Sequence, residues 1–148
     1  MLEHEIKVKR RAISFEVLDY NNVVAQVWSE GGNEPIYCEQ YTDDQLCKPF
    51  PWLGSKGEIT IDQLLDYLES RCFPRTRHRA EQILKHLGLG SYSPLDIVKK
   101  THGVQFEDYM WIRFAGEEEL RYEDVGFRTV PEEWKGGPDS VLQQGRSE

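Results

Sequence analysis

Cysteine, long apolar runs and basic charge are all scarce in this chain of 148 residues. The cysteines are three, Cys38, Cys47 and Cys72, with no Cys-x-x-Cys spacing among them. An odd number at irregular intervals is not a disulfide framework, and a reducing, cytoplasmic setting is expected. No apolar stretch approaches the roughly 20 residues that a membrane-spanning helix needs. The opening Met1-Leu2-Glu3-His4-Glu5 lacks the apolar region of a signal peptide. Neither secretion nor membrane contact is expected. With 18 Lys and Arg against 26 Asp and Glu, the formal net charge is −8. That sign is wrong for a stand-alone binder of the nucleic-acid backbone. Internal repeats are lacking too.

What remains is the composition of a folded protein. Hydrophobic residues make up 39% and aromatic residues 11% of the chain, enough for one core with little room for a second. The expected fold class is α+β: an N-terminal antiparallel hairpin or small sheet, three central helices and a short β return. Residues 1–130 are expected to form this single domain, and residues 131–148, with Pro131, Gly136, Gly137 and Pro138, a flexible tail. Ile13, Phe15 and Val17 alternate along the first strand, Asp19-Tyr20-Asn21-Asn22 supplies turn chemistry, and Val23–Trp28 forms the second. A short strand is expected at Ile36–Tyr41, bounded by loop signals at Gly31-Gly32-Asn33 and Lys48-Pro49-Phe50-Pro51-Trp52.

Helical signals follow. Thr60 and Gln63 make a capping box ahead of the stripe Ile61, Leu64, Leu65 and Leu68, and Pro74 is expected to stop that helix. Thr76 is the expected cap of a second helix, which faces the core with Ala80, Ile83, Leu84 and Leu87 and ends at Gly88. Ser93-Pro94 opens the third and Gly103 closes it. A return strand over Phe106–Phe114 sets Met110, Ile112 and Phe114 opposite Trp111 and Arg113. Burial in one core is expected for Leu64, Leu65, Leu68, Ile83, Leu84, Leu87, Val98, Ile112 and Phe114.

Charge falls in blocks. Residues 1–15 carry +2, 16–70 carry −9, 71–100 carry +5 and 101–148 carry −6. The basic block centres on Arg71-Cys72-Phe73-Pro74-Arg75-Thr76-Arg77-His78-Arg79. Read as the start of a helix, Arg75, Arg77 and Arg79 oppose the helix dipole, which favours acids there. Something must satisfy them: internal carboxylates, an acidic partner or phosphate. Arg71 and Arg77 are expected to be fixed by internal acids such as Asp108, Asp124 or Glu69, and Arg75 and Arg79 to point to solvent.

Residues 71–125 carry a further pattern: Arg71-x-x-Pro74-x-x-Arg77, Leu84-x-x-Leu87-Gly88-Leu89, Tyr92, Gly103, Asp108-x-x-Trp111-Ile112 and Tyr122-x-Asp124-Val125. It resembles a segment near the N-terminus of HipA-like kinases of Firmicutes. The stretch is also similar to small stand-alone proteins of clostridial mobile elements. In those kinases the segment lies outside the catalytic core. The chain has no phosphate-cradling glycine loop, no His-Arg-Asp and no Asp-Phe-Gly. The resemblance therefore implies an accessory, regulatory or partner-binding role and not kinase activity.

Other chemistry is thinly represented. Cys38, Cys47 and Cys72 with one of His78, His86 or His102 can in principle make a tetrahedral zinc site, but buried structural thiols account better for such irregular spacing. No local signature marks a cysteine nucleophile. Asp43-Asp44 and Glu117-Glu118-Glu119 read as solvated turns rather than metal ligands. Trp111 and Tyr109 suit strand packing better than a stacking platform for bases.

The reading is a protein that works by binding, with no cofactor, metal or catalytic residue. First comes an inhibitor or regulator of mobile-element origin that sets an acidic surface against a nucleic-acid-handling protein, including an anti-CRISPR inhibitor of a type II effector nuclease. Second is an accessory or antitoxin-like partner of a HipA-type kinase. Third is direct DNA binding by a helix-turn-helix across Pro74. The candidate partner-binding residues are Arg71, Arg75, Arg77, Arg79, Asp43, Asp44, Glu117, Glu118 and Glu119.

Overall fold

Alternation of apolar and polar side chains builds the sheet, and the chain returns to close it. A computed structural model describes residues 11–127. Strands β1 (Ile13–Asp19) and β2 (Asn22–Ser29) form the expected hairpin, with Tyr20 at its turn in the left-handed region (φ 56°). Strands β3 (Ile36–Gln40) and β4 (Lys56–Ile59) extend it on one side, and β5 (Met110–Phe114) pairs with β1 on the other. The result is one antiparallel sheet in the order β4-β3-β2-β1-β5. The return strand is thus an edge strand four residues shorter at its start than the expected Phe106–Phe114. A register shift at Val17/Leu18 marks a bulge, where Val17 faces Ala25 but Leu18 faces Val23.

Three of the four helices among the described residues lie between β4 and β5: α1 (Ile61–Ser70), α2 (Ala80–His86) and α3 (Pro94–Thr101). The fourth, α4 (Tyr122–Val125), is a single turn after β5. The capping box forms as read: Thr60 Oγ1 accepts from Gln63 N–H at 3.0 Å, and Gln63 Oε1 accepts from Thr60 N–H at 2.8 Å. Ser93 caps α3, with Pro94 in its first turn. The inner face of the sheet, with Phe15, Val17, Val27, Cys38, Ile59 and Ile112, packs on Leu64 and Leu68 of α1 and Val98 of α3. Burial of about 25 cal/mol per Å² of apolar surface on this face is what holds the helices to the sheet. A smaller cluster, Leu18, Tyr20, Trp111 and Tyr122, covers one end of the outer face.

Several expectations need correction. Leu65 is 37% exposed, because a ten-residue helix lying on a sheet presents only one side inward. Ile83, Leu87 and Phe114 are only partly buried, whereas Leu64, Leu68, Leu84, Val98 and Ile112 are in the interior. Helix α1 ends at Ser70, ahead of Pro74, since Arg71 leaves the helix to send its side chain inward. Thr76 does not cap α2. Its N-cap is Arg79, in the left-handed region (φ 65°) and without a side-chain cap. Strand β4 and turn α4 had no strong periodic signal, being four residues each. The expected tail, residues 131–148, lies outside the described residues.

Candidate protein-binding surface

The basic run divides differently from its sequence reading. Arg71 is buried and has four hydrogen bonds: Nη1 and Nη2 to the two oxygens of Asp108, both 2.9 Å, Nε to Gly103 O at 2.9 Å and Nη2 to Met110 O at 2.9 Å. Burial alone would lower its pKa, but the Asp108 hydrogen bond together with the charges of Tyr67, Asp108 and Glu107 outweighs this and keeps the guanidinium charged. Arg71 therefore ties α1 to the loop before β5, and it is not available to a partner. Gly103 (φ +67°) permits this approach: a Cβ there would come within 3.2 Å of Arg71 Cβ.

Arg75 faces solvent, yet it is held by Glu69 (Nε–Oε2 3.1 Å) and stacks over the Tyr92 ring at 4.2 Å. Arg77, expected to be fixed internally, is exposed with no ion pair among the described residues, and Glu69 has gone to Arg75 instead. The third acid considered, Asp124, accepts from Arg121 N–H at 2.9 Å. Arg79 points to solvent as expected. Arg75 and Arg77 precede α2 and Arg79 is its N-cap, so none of the three sits in the first turn, which holds Glu81. The conflict with the helix dipole is thereby confined to Arg79, whose side chain is exposed to water. Nine residues separate α1 from α2, against the three or four of a helix-turn-helix.

The acidic residues divide as well. Glu117 is not a free surface acid: Oε2 lies 3.1 Å from His102 Nε2, and Oε1 accepts from Phe114 N–H at 2.9 Å. It fastens the turn after β5. Glu118 accepts from Gly116 N–H at 2.8 Å, and backbone donors hold its carboxyl below the usual range. Glu119 is exposed.

Asp43 and Asp44, by contrast, stand exposed in the loop between β3 and β4. That loop is ordered by its own side chains. Asp44 Oδ1 accepts from Leu46 N–H at 3.0 Å, Thr42 Oγ1 accepts from Asp44 N–H at 3.1 Å, and Gln40 Nε2 donates to Phe50 O at 3.0 Å. On it Leu46 is 93% exposed, Trp52 58% and Tyr41 50%. Sequence reasoning missed these three, although an apolar residue isolated between Gln45 and Cys47 in an Asp-rich loop was a visible signal.

The cysteines are dispersed. Cys38 is buried in the sheet core, Cys47 Sγ lies 3.7 Å from Asp19 Oδ2 and 3.6 Å from Asp44 Oδ2, and Cys72 Sγ contacts Leu68 O at 3.3 Å. Burial pushes the thiols of Cys38 and Cys47 up to about 12 and that of Cys72 to about 11. At neutral pH these are thiols, not thiolate nucleophiles. Among the described residues no group of three or more His, Cys, Asp or Glu is placed to hold a metal. Trp111 is fully buried with its indole N–H on Tyr20 O, so it is packing and not a stacking platform. No helix of the described residues is long and apolar enough to cross a membrane.

No family model, curated protein or solved structure matches the chain.

Proposed function

We propose that the protein acts by binding, as an inhibitor or regulator of a nucleic-acid-handling protein, through the acidic loop between β3 and β4. The observation that carries this reading is Leu46, 93% exposed beside Asp43 and Asp44, with Trp52 and Tyr41 on the same loop. An ordered loop that holds an aliphatic and two aromatic side chains in water gains by burying them against another surface. The flanking aspartates select a basic surface, such as the channel in which a nuclease holds its nucleic acid. The Glu117–Glu119 turn loses its place in this interface, because Glu117 is engaged within the fold. The mobile-element resemblance makes a type II effector nuclease the partner of first choice, with a HipA-type kinase behind it.

The test is cleavage of duplex DNA by a guide-loaded type II effector nuclease with the protein titrated in. The expected result is inhibition near stoichiometry that weakens as salt rises through the physiological range. Leu46→Ser, and Asp43→Asn with Asp44→Asn, should relieve it without loss of thermal stability, since all three side chains are exposed and asparagine at position 44 keeps the Oδ1 that accepts from Leu46 N–H. Uninhibited cleavage at tenfold molar excess of the protein would remove the nuclease reading.

A further inference from the structure

The outer face of the sheet is covered at one end only. Its Leu18–Trp111 end lies under Tyr122, while at the other end an open trough of about 720 Å³ runs between Ser14, Gln26, Trp28, Glu30 and Glu39. The register explains it. One row across the sheet reads Ser14, Trp28, Tyr37, Glu58, and the next reads Arg113, Glu16, Gln26, Glu39, Lys56. Ser14 is small beside Trp28, so the indole becomes a wall with empty space over β1. Tyr37 braces that wall from β3, its ring 5.8 Å from the indole. Tyr41 Oη donates to Gln26 Oε1 at 3.1 Å and lies 3.5 Å from Glu39 Oε1, so the trough is continuous with the acidic loop.

We propose that this trough is a docking site for an arginine side chain of a basic partner segment. The inference rests on the protein-binding reading above and names the chemistry the partner must present. Three observations decide the occupant. The wall is aromatic, and a cation over a Trp face is favoured, a planar guanidinium more than an ammonium. Glu30 and Glu39 line the same trough as the indole and have no ion pair among the described residues. The nearby Arg113 does not neutralise them, because it is bound to Glu16 (Nη2–Oε1 2.8 Å) and to Leu120 O at 3.0 Å. Lys56 stands opposite Glu39 in the register, so the excess of negative charge at the site is modest. A nucleic-acid strand stacked on Trp28 would bring its phosphates against Glu30, Glu39 and Glu58, an arrangement that like charge opposes.

The test follows the indole Nε1–H resonance of Trp28 in the full chain, assigned through Trp28→Phe, during titration with a five-residue peptide alternating glycine and arginine. The arginine peptide should shift this resonance, the lysine counterpart should bind about fivefold more weakly, and the citrulline counterpart should not bind. Glu30→Gln with Glu39→Gln should weaken the arginine peptide about tenfold, while Asp43→Asn with Asp44→Asn should change it less than twofold. Equal binding of citrulline and arginine peptides would overturn the proposal, as would a shift indifferent to the glutamine pair. A thymidine oligomer that moves Trp28 more strongly than the peptide would make the face a stacking platform. Loss of peptide binding only in the loop variant would overturn the trough and leave the proposed function standing. A nuclease unaffected by a protein that still takes up the arginine peptide would do the reverse.

Discussion

Removing Asp108 tests the central structural assignment, that Arg71 belongs to the fold. The guanidinium is buried and donates twice to Asp108 and once each to the carbonyls of Gly103 and Met110. Asp108→Asn keeps an oxygen for Met110 N–H, a bond of 3.0 Å, but leaves a buried cation without its counter-charge. A fully buried pair broken in this way costs about 3–5 kcal/mol. Asp108 is 37% exposed and two carbonyls remain on Arg71, so about 2 kcal/mol is expected. Arg71→Met strips donors from two carbonyls and should cost about 3 kcal/mol. In a chain of this length that lowers the melting midpoint by about 10 °C. Together the two substitutions should cost less than their sum by about 1–2 kcal/mol, the signature of a shared interaction. Urea unfolding of the four proteins of the cycle reads these values directly. Arg77→Glu and Arg79→Glu, at exposed positions, should stay within about 0.5 kcal/mol of the parent. An Asp108→Asn loss below about 0.5 kcal/mol, or strict additivity in the cycle, would refute the assignment.

Two further outcomes are expected. Leu84→Ala should cost about 2–3 kcal/mol by urea unfolding, the low end of the range for core leucines, because α2 lies at the rim of the core; a loss below about 0.5 kcal/mol would mean that Leu84 packs on nothing. Asp19 has its pKa raised, first by burial and then by the charges of Asp108 and Asp44, against a lowering by the Cys47 thiol; its contribution to stability is therefore full below the ordinary carboxylate range and is lost as pH rises through the raised folded value. Asp19→Asn, which cannot lose a proton, should be the more stable protein at pH 7 with the gain fading towards pH 4, and a gain that does not change with pH would defeat this account.

The parts of the fold legible in the sequence were those governed by neighbours along the chain. The β1–β2 hairpin, the Thr60–Gln63 capping box and the Ser93-Pro94 start of α3 are each set by residues within a few positions of one another. Strand β4 and turn α4 were invisible for the complementary reason. Lys56-Gly57-Glu58-Ile59 is a strand only because β3 offers its edge, and Tyr122 seeds a turn only because Tyr20 and Trp111 give it an apolar bed. Within the 71–125 pattern, Arg71, Gly103, Trp111 and Tyr122 hold the fold: Arg71 on Asp108, Gly103 beneath Arg71, Trp111 on Tyr20 and Tyr122 in the second cluster.

The site was less legible still. Charge count singled out Glu117 and Arg71, and both are spent internally, on His102 and Asp108. Ionic pairing between residues far apart in the chain depends on which loops meet, and no local pattern encodes it. Trp28, Glu39 and Glu30 reach one trough only through sheet register and the smallness of Ser14 on the neighbouring strand. Leu46 could be seen to be isolated, but its exposure depends on a loop that Asp44 and Gln40 brace away from the core. By itself the sequence determined the α+β class, the hairpin, the starts of α1 and α3 and the blocks of charge, because short-range sterics, capping and periodicity act within a turn or two. Tertiary structure alone decided which charges pair inside and which face water, because burial removes a charge from solvent and forces it to find a partner wherever the chain has brought one.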